Sequence, residues 1–307
     1  MVTDPLVRFK HAFVTGATGI VGVPLCKQLS EQGVQVTAYS RAAGEFGLPP
    51  SVDHVTGDIL DPSALKRAAT GADIIFHVAA AVHGSASTYA EFEAMNVTGT
   101  ANVVEVAKEL GAKLVHVSTV NVEGFNRGVL ADAYAATKAA AEGIVLAAVD
   151  DGSLDAVIVR PASVFGNVHG RAGMIVDRLL SGSLRVLPAP SRMISPVWVE
   201  DLARALIQSA YLGESGNIYT VAGPSTTTDE FVKSICAGAG VSSPVLSIPG
   251  WIIAVPLQLA WWVRRVTRVT PLVSVESVRN GSVHDGTKAA RDLKFNYTSI
   301  SEIFSNQ

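Results

Sequence analysis

Six short apolar runs, with longer segments of helical spacing in four of the five gaps between them, constrain this chain more tightly than anything else in it. The runs lie at residues 11–15, 34–39, 52–55, 74–78, 114–119 and 154–160. Between them, residues 20–32, 62–70, 89–110 and 133–149 repeat apolar side chains three and four apart, the period of a helix with one covered face. A further helix at 199–212 leads into an apolar strand at 217–221. Strand, helix, strand, with no hairpin-length loops, predicts an α/β fold of Rossmann type, a doubly wound parallel sheet. The composition agrees: 48 % hydrophobic and only 17 % charged residues suit strands covered on both faces.

After Gly166 the texture changes, with Pro188, Pro190, Pro196, Pro224, Pro244, Pro249, Pro256 and Pro271 punctuating shorter segments. We therefore expect residues 1–166 plus 197–222 to form one domain around the parallel sheet. Residues 167–196 plus 223–307 are expected to form a smaller, discontinuous C-terminal substrate domain.

The first strand runs directly into "TGATGIVG", Thr15 to Gly22. Glycine at a helix start is less favourable than alanine by about 1 kcal/mol, so three of them need a reason. On a strand-to-helix turn they have one. Gly16 permits the tight turn, Gly19 lets a pyrophosphate approach the backbone, and Gly22 lets the helix pack close to the strand. Thr18, Ile20 and Val21 complete that turn, with the phosphates expected at the helix N-terminus. Asp58, followed by Ile59, is placed to accept from an adenine amino group, or else serves as a turn or cap residue. "HVAAAV" offers Ala79, Ala80 and Ala81 as small residues across which the cofactor can lie, while His77 reads as a packed strand histidine.

The second strand ends "VTAYSR" with no acid before Glu45. An acid there would accept from the ribose 2′-hydroxyl of NAD, whereas Arg41 suits a 2′-phosphate. The expected cofactor is NADP, with NAD as the alternative.

Tyr134 and Lys138 are four apart on one helix face, with Asp132 as a candidate N-cap. Ser118 and Thr119 end a strand at the carboxyl edge of the sheet, where open α/β proteins bind ligands. A tyrosine near pKa 10 is a poor proton carrier at neutral pH, and a neighbouring ammonium would lower that value. A hydroxyl from Thr119 would hold a substrate oxygen beside the phenol while a hydride moves to or from a nicotinamide.

Together "TGATGIVG", "GDILD", "HVAA", "MNVTGTANVVEVA", "VSTVNVEG", "YAATK", "VRPASVFG", "VWVEDLARAL" and "GNIYTVAG" resemble an extended or atypical short-chain dehydrogenase/reductase of the NAD(P)-dependent epimerase/dehydratase superfamily. The resemblance covers nearly the whole length. It implies that Tyr134 is the acid/base, that Lys138 binds the nicotinamide ribose, and that Thr119, five residues before Gly124, is the active hydroxyl, with Ser118 as the other claimant. Asn96 then matches a helix-kink and proton-relay asparagine. By the same resemblance, the segment from Arg160 and Pro161 is expected to approach the nicotinamide amide, with Ser163 and Val164 contacting it through their backbones.

Departures narrow the substrate. Ser40-Arg41 stands where sugar-nucleotide enzymes keep an acid, and Val120-Asn121 stands where dehydratases carry Asp-Glu. The second domain is apolar and aromatic where theirs is arginine-rich. These features resemble the 3β-hydroxysteroid dehydrogenase and dihydroflavonol reductase branch. The leading expectation is an oxidoreductase on a hydrophobic hydroxyl or ketone; a nucleotide-sugar epimerase or dehydratase and a non-catalytic dinucleotide sensor are the alternatives.

Other classes are argued against. A net charge of −3 without a basic cluster opposes nucleic-acid binding. Cys26 and Cys236, far apart and without a paired histidine motif, oppose a zinc site or disulfide framework and fit a reducing compartment, so a cytoplasmic location is expected. "MVTDPLVRFK" lacks the apolar core of a secretory leader. Residues 244–268 carry about nineteen nearly uncharged residues and three tryptophans, interrupted by Pro249, Gly250, Pro256 and Gln258. They are expected to cover substrate or a dimer face, with a helix lying on a membrane surface as the alternative and a true span as the remaining one. The chain is expected to be a monomer or a homodimer, the latter through helices 89–110 and 133–149. His83 and His169 are expected near the mouth of the site as solvated loop residues, and Glu200-Asp201 at a helix start as compensation of its dipole.

Overall fold

A computed structural model describes residues 9–44, 46–86, 88–128, 132–166, 171–250, 252 and 282–305. His169 and most of 244–268 lie outside the described residues. Two compact units are present: residues 1–161, 199–221 and 286–295 form the first, and 162–198, 222–285 and 296–307 the second.

The first unit is built on β1 (His11–Thr15), β2 (Gln35–Ser40), β3 (Val52–Thr56), β4 (Ile74–His77), β5 (Lys113–Val117), β6 (Ala156–Pro161) and, after the second unit's first segment, β11 (Ile218–Val221). They form one sheet in the order β11-β6-β5-β4-β1-β2-β3, and every pairing in it is parallel. Ala12, Phe13 and Val14, with Val36 and Ala38, are wholly buried, as a sheet covered on both faces demands. The order reverses between β1 and β4, and there α/β sheets open a crevice at their carboxyl ends.

The connecting helices are α1 (Gly22–Glu31), α2 (Pro62–Ala68), α3 (Tyr89–Glu93), α4 (Gly99–Leu110), α5 (Asn121–Asn126) and α6 (Ala133–Asp150). Each start has a local cause where one is needed. Asp61 caps α2 through Ala64 N at 2.9 Å with Pro62 at the first position, and Thr88 with Glu91 forms a capping box on α3. The segment at 89–110, expected as one helix, is broken by a π turn at Ala94–Thr98. The wide turn carries the buried Asn96 amide, whose hydrogen bonds go outside its own helix. Phe13, Ile75, Leu114 and Ile158 of the sheet pack with Val103, Val104 and Val145 of α4 and α6 into a continuous core.

The second unit contains β7 (Ser163–Phe165), α7 (Arg171–Leu180), β8 (Val186–Pro188), β9 (Met193–Ile194), β10 (Pro196–Trp198), β12 (Thr226–Thr227), α9 (Thr228–Gly238) and β13 (Leu246–Ile248). Among the described residues its strands pair two by two: β7 with β10, β8 with β13, and β9 with β12. Phe165, Val176, Leu179, Leu187, Val232, Ile235 and Phe304 make its own core. The helix α8 (Val199–Leu212) and α10 (Thr287–Asp292) return to the first unit, and α11 (Ile300–Ser305) packs on α9 in the second. Among the described residues no helix is long and apolar enough to cross a membrane.

Candidate active site

The glycine turn after β1 is shaped by contacts of the backbone with itself. Gly16 has φ +67°, and a Cβ there would lie 2.6 Å from the Ala79 nitrogen beyond β4. A Cβ on Gly22 would run into the Gly16 carbonyl and Ala17, so the first turn of α1 lies directly against the loop. Gly19 is different: a Cβ would meet only the Gly16 carbonyl, at 3.2 Å. Val21 precedes α1, and among the described residues no side chain caps the helix N–H groups. A turn this close to the sheet, followed by an uncapped helix start, fits a diphosphate.

Beside it, Ser40 is buried and hydrogen-bonds His54 Nε2 at 2.8 Å, and Arg41 is exposed. Asp58 takes the turn role: its Oδ1 accepts from Leu60 N at 3.0 Å, with Ile59 buried behind it. Ala79 N donates to Thr15 Oγ1 at 3.3 Å, and Ala81 is held on both sides by the Asn96 amide. Asn96 Oδ1 accepts from Ala81 N at 2.7 Å, and Nδ2 donates to Ala81 O and Thr137 Oγ1, each at 3.1 Å. Asn96 therefore ties the exit of β4 to α6.

His77 is the packed strand histidine expected. Thr100 Oγ1 donates to Asn96 O at 2.6 Å and so accepts from His77 Nε2 at 2.9 Å, while Thr15 Oγ1 donates to Nδ1 at 2.8 Å. Burial pushes its pKa down to about 3, so the ring is neutral.

The helix α6 buries a stripe at Ala135, Lys138, Ala141, Glu142, Val145 and Ala148, a 3.6-residue period drawn in alanine with two charges set into it. Asp132 caps it through Tyr134 N and Ala135 N, both at 3.4 Å. Its other contact is His83 Nε2 at 3.2 Å, whose ring lies 5.4 Å from that of Tyr134. His83 is thus a partner of the phenol's surroundings as well as a half-exposed loop residue.

Thr119 and not Ser118 faces the phenol: a hydrogen bond with Thr119 pulls the Tyr134 pKa down, while Ser118 Oγ is buried without a partner among the described residues. Burial dominates, however, and pushes Tyr134 up to about 12. Here the expectation of a phenol acidified by its neighbouring amine is corrected. Lys138 Nζ donates to Val117 O at 2.7 Å and to His116 Nε2 at 3.4 Å, so the ammonium is engaged by β5. Burial lowers the Lys138 pKa to about 8, and Glu142 opposes that fall. At neutral pH the phenol is protonated and the amine is charged.

Glu142 is itself held by Arg160, which donates from Nε at 2.8 Å and Nη2 at 2.5 Å, with Glu123 3.8 Å from Nη1. Sequence reasoning gave Arg160 to a cofactor loop and missed Glu142 and His116. Their signals were present: Glu142 is one turn beyond Lys138, and His116 shares a strand face with Ser118. Pro161 O accepts from Val120 N at 3.2 Å, and Ser163 and Val164 lie on β7 in the second unit.

A Rossmann sheet carrying a Tyr-x-x-x-Lys helix defines an NAD(P)-dependent enzyme of the extended short-chain dehydrogenase/reductase type. The chain belongs to the NAD dependent epimerase/dehydratase family, whose model matches residues 12–222. It is 31 % identical to a 2-alkyl-3-oxoalkanoate reductase of Shewanella oneidensis, over 66 % of this chain and 57 % of that protein. A 3-beta-hydroxysteroid dehydrogenase of Mycolicibacterium neoaurum is 25 % identical over 95 % of this chain and 89 % of its own length. The chain's match thus spans less than two thirds of the first of these relatives. Among solved structures, that of gox2253 superposes with a TM-score of 0.81 over 96 % of both chains at 23 % identity. The UDP-glucose 4-epimerase of Thermotoga maritima gives 0.77 over 96 % of both at 20 %. At such identities the likeness concerns the fold.

Proposed function

We propose that this protein is an NADP(H)-dependent oxidoreductase that interconverts a hydroxyl and a carbonyl on a hydrophobic small molecule. One observation carries the reading: a neutral, largely enclosed phenol, Tyr134, with the Thr119 hydroxyl in front of it and the Lys138 ammonium one helical turn along. In the reductive direction Thr119 Oγ1 holds the carbonyl oxygen, and Tyr134 Oη gives that oxygen its proton. A phenol that stays protonated at neutral pH suits the role of donor. Lys138, fixed by Val117 O and His116, supplies positive charge beside the phenolate as it forms and a donor for the nicotinamide ribose. The chemistry a bound nicotinamide supplies is hydride transfer to or from the substrate carbon. Gly16, Thr18, Gly19, Ile20, Val21 and Gly22 would hold the diphosphate, and Ile59 with Ala79 to Ala81 would line the adenosine side.

Ser40 and the exposed Arg41, where an acid would select NAD, support NADP. The substrate class follows relatives whose names specify a 2-alkyl-3-oxoalkanoate and a 3-beta-hydroxysteroid. The test is a screen of apolar ketones (alkyl 3-oxoalkanoates, steroid ketones, flavanones) for NADPH oxidation, beside mass identification of any cofactor retained on purification. Net NADPH consumption with reduction of the carbonyl is expected. Tightly retained NAD, no net consumption, and interconversion of a nucleotide sugar would overturn the reading.

A further inference from the structure

Two imidazoles lie near the charged end of Lys138, and the mechanism above gives neither a proton to carry. His77 is fully partnered by Thr15 and Thr100. His116, from β5, is wholly buried with its ring 5.3 Å from that of His77, and among the described residues only its Nε2 has a partner, the Lys138 amine. Its Nδ1 meets no hydrogen-bond partner among the described residues. A buried polar atom left without a partner costs stability, and a leucine or valine would avoid that cost on so apolar a strand. An ammonium has three hydrogens and no lone pair, so it needs acceptors around it, and Val117 O supplies only one.

We infer that His116 is a positioning residue: a permanently neutral imidazole in its Nδ1–H tautomer, whose Nε2 lone pair holds the Lys138 ammonium in its charged form and aims it along the helix toward the reacting end. This inference rests on the proposed roles of Tyr134 and Lys138 and adds what sustains them. An uncharged acceptor suits the task. A carboxylate at that place would bind the ammonium as an ion pair and cancel the charge that the phenolate needs, whereas a neutral lone pair supports the donor form and leaves the charge available.

The other groups around the amine agree. Glu142, on the same helix, favours the ammonium but is turned into a bidentate pair with Arg160 of β6, which Glu123 of α5 also approaches. His77 of β4 is kept neutral by burial and by the Lys138 charge, and His116 is held well below its ordinary value by burial first, then by Lys138 and His77. Tyr134 stays neutral, and Asp132 at the head of the helix acts on the phenol. Among these groups His116 is the only one that touches Nζ with a neutral side-chain acceptor.

The experiment compares His116→Met, which keeps volume but has no strong acceptor, with His116→Gln, which restores a carbonyl oxygen. NADPH and NADH are titrated by fluorescence across pH on the full chain, with unfolding temperature measured alongside. In the wild type, affinity for the preferred cofactor is expected to fall as the amine loses its proton, toward and above pH 8. His116→Met is expected to move that fall about one pH unit lower, and His116→Gln to return it to the wild-type position. A His116→Met profile identical to wild type, or a His116→Gln profile identical to His116→Met, would overturn the inference.

Lys138→Met separates this from the underlying reading. Loss of the pH-dependent fall in that variant keeps the role of the amine, and persistence of the fall removes the reading itself. Should His116→Met not fold, nitrogen NMR of the wild-type protein with isotope-labelled histidine decides. The imidazole that vanishes in His116→Gln must be the Nδ1–H tautomer throughout the titration. An imidazolium or an Nε2–H ring would contradict the inference.

Discussion

The turn after β1 and the head of α6 serve the same carboxyl edge of one sheet, and they are built by opposite means. The turn consists of backbone: Gly16 and Gly22 bring main chain against main chain, and no side chain among the described residues caps the helix behind them. The head of α6 consists of side chains that fix one another, with Asn96 tying Ala81 to Thr137, His116 holding Lys138, and Arg160 holding Glu142. A backbone site is broken by adding atoms at a few glycines. A side-chain site is broken by removing any one of several partners, and in different ways.

The largest effect is expected at the phenol. Tyr134→Phe should lower turnover by about a thousandfold, within the range ascribed to general acids, while cofactor affinity stays at the wild-type value. Steady-state NADPH oxidation beside a binding titration checks it, and loss of binding together with turnover would mean that the two regions are not independent. Next comes the buried ion pair. Arg160→Ala leaves the Glu142 carboxylate without its partner at 5 % side-chain exposure and should cost about 3–5 kcal/mol in urea unfolding. A loss under about 1 kcal/mol would show that solvent reaches the pair.

The turn should respond less but in both properties at once. Gly22→Ala places a methyl against the Gly16 carbonyl and should cost about 1–3 kcal/mol of stability together with cofactor affinity, read by unfolding and by titration. Stability lost with binding intact would separate packing from recognition. A subtler effect follows from the depressed Lys138 pKa. Below about pH 8 the amine is charged in both states and its burial penalises the folded one; between pH 8 and its ordinary value of 10.5 only the unfolded chain keeps the proton. The stability of wild type relative to Lys138→Met should therefore rise over that window. A flat difference would mean that the amine is hydrated in the fold. Smallest of all, Arg41→Ala should weaken NADPH by about tenfold and leave NADH unchanged, since an exposed guanidinium contributes modestly.

The same contrast explains what could be read from the residues alone. Apolar runs and glycine spacing encode backbone geometry directly, so the strands of the large sheet and the position of the turn were legible to within a residue or two. The spacing of Tyr134 and Lys138 on one helix and the place of Thr119 at a strand end were legible as a pattern. The direction of the Lys138 amine was not, since it depends on Val117 O and on His116, whose place in "LVHVS" reads as one more covered strand residue. Glu142 and Arg160 are eighteen residues apart, and no local period announces their pairing. The π turn escaped because Asn96 makes it through contacts with Ala81 and Thr137, fifteen residues back and forty-one ahead. In the second unit, strands of two or three residues are too short to carry a period of two.

The central claim is net hydride transfer to an apolar carbonyl with Tyr134 as the proton donor, and isotopic labelling addresses it most directly. The protein is supplied with NADPH deuterated at both transferring positions and the ketone that oxidises it fastest, and the product is read by mass. The account predicts one deuterium bound to the new carbinol carbon, with product formation abolished in Tyr134→Phe. An unlabelled product, or a labelled one formed equally well by Tyr134→Phe, would contradict it.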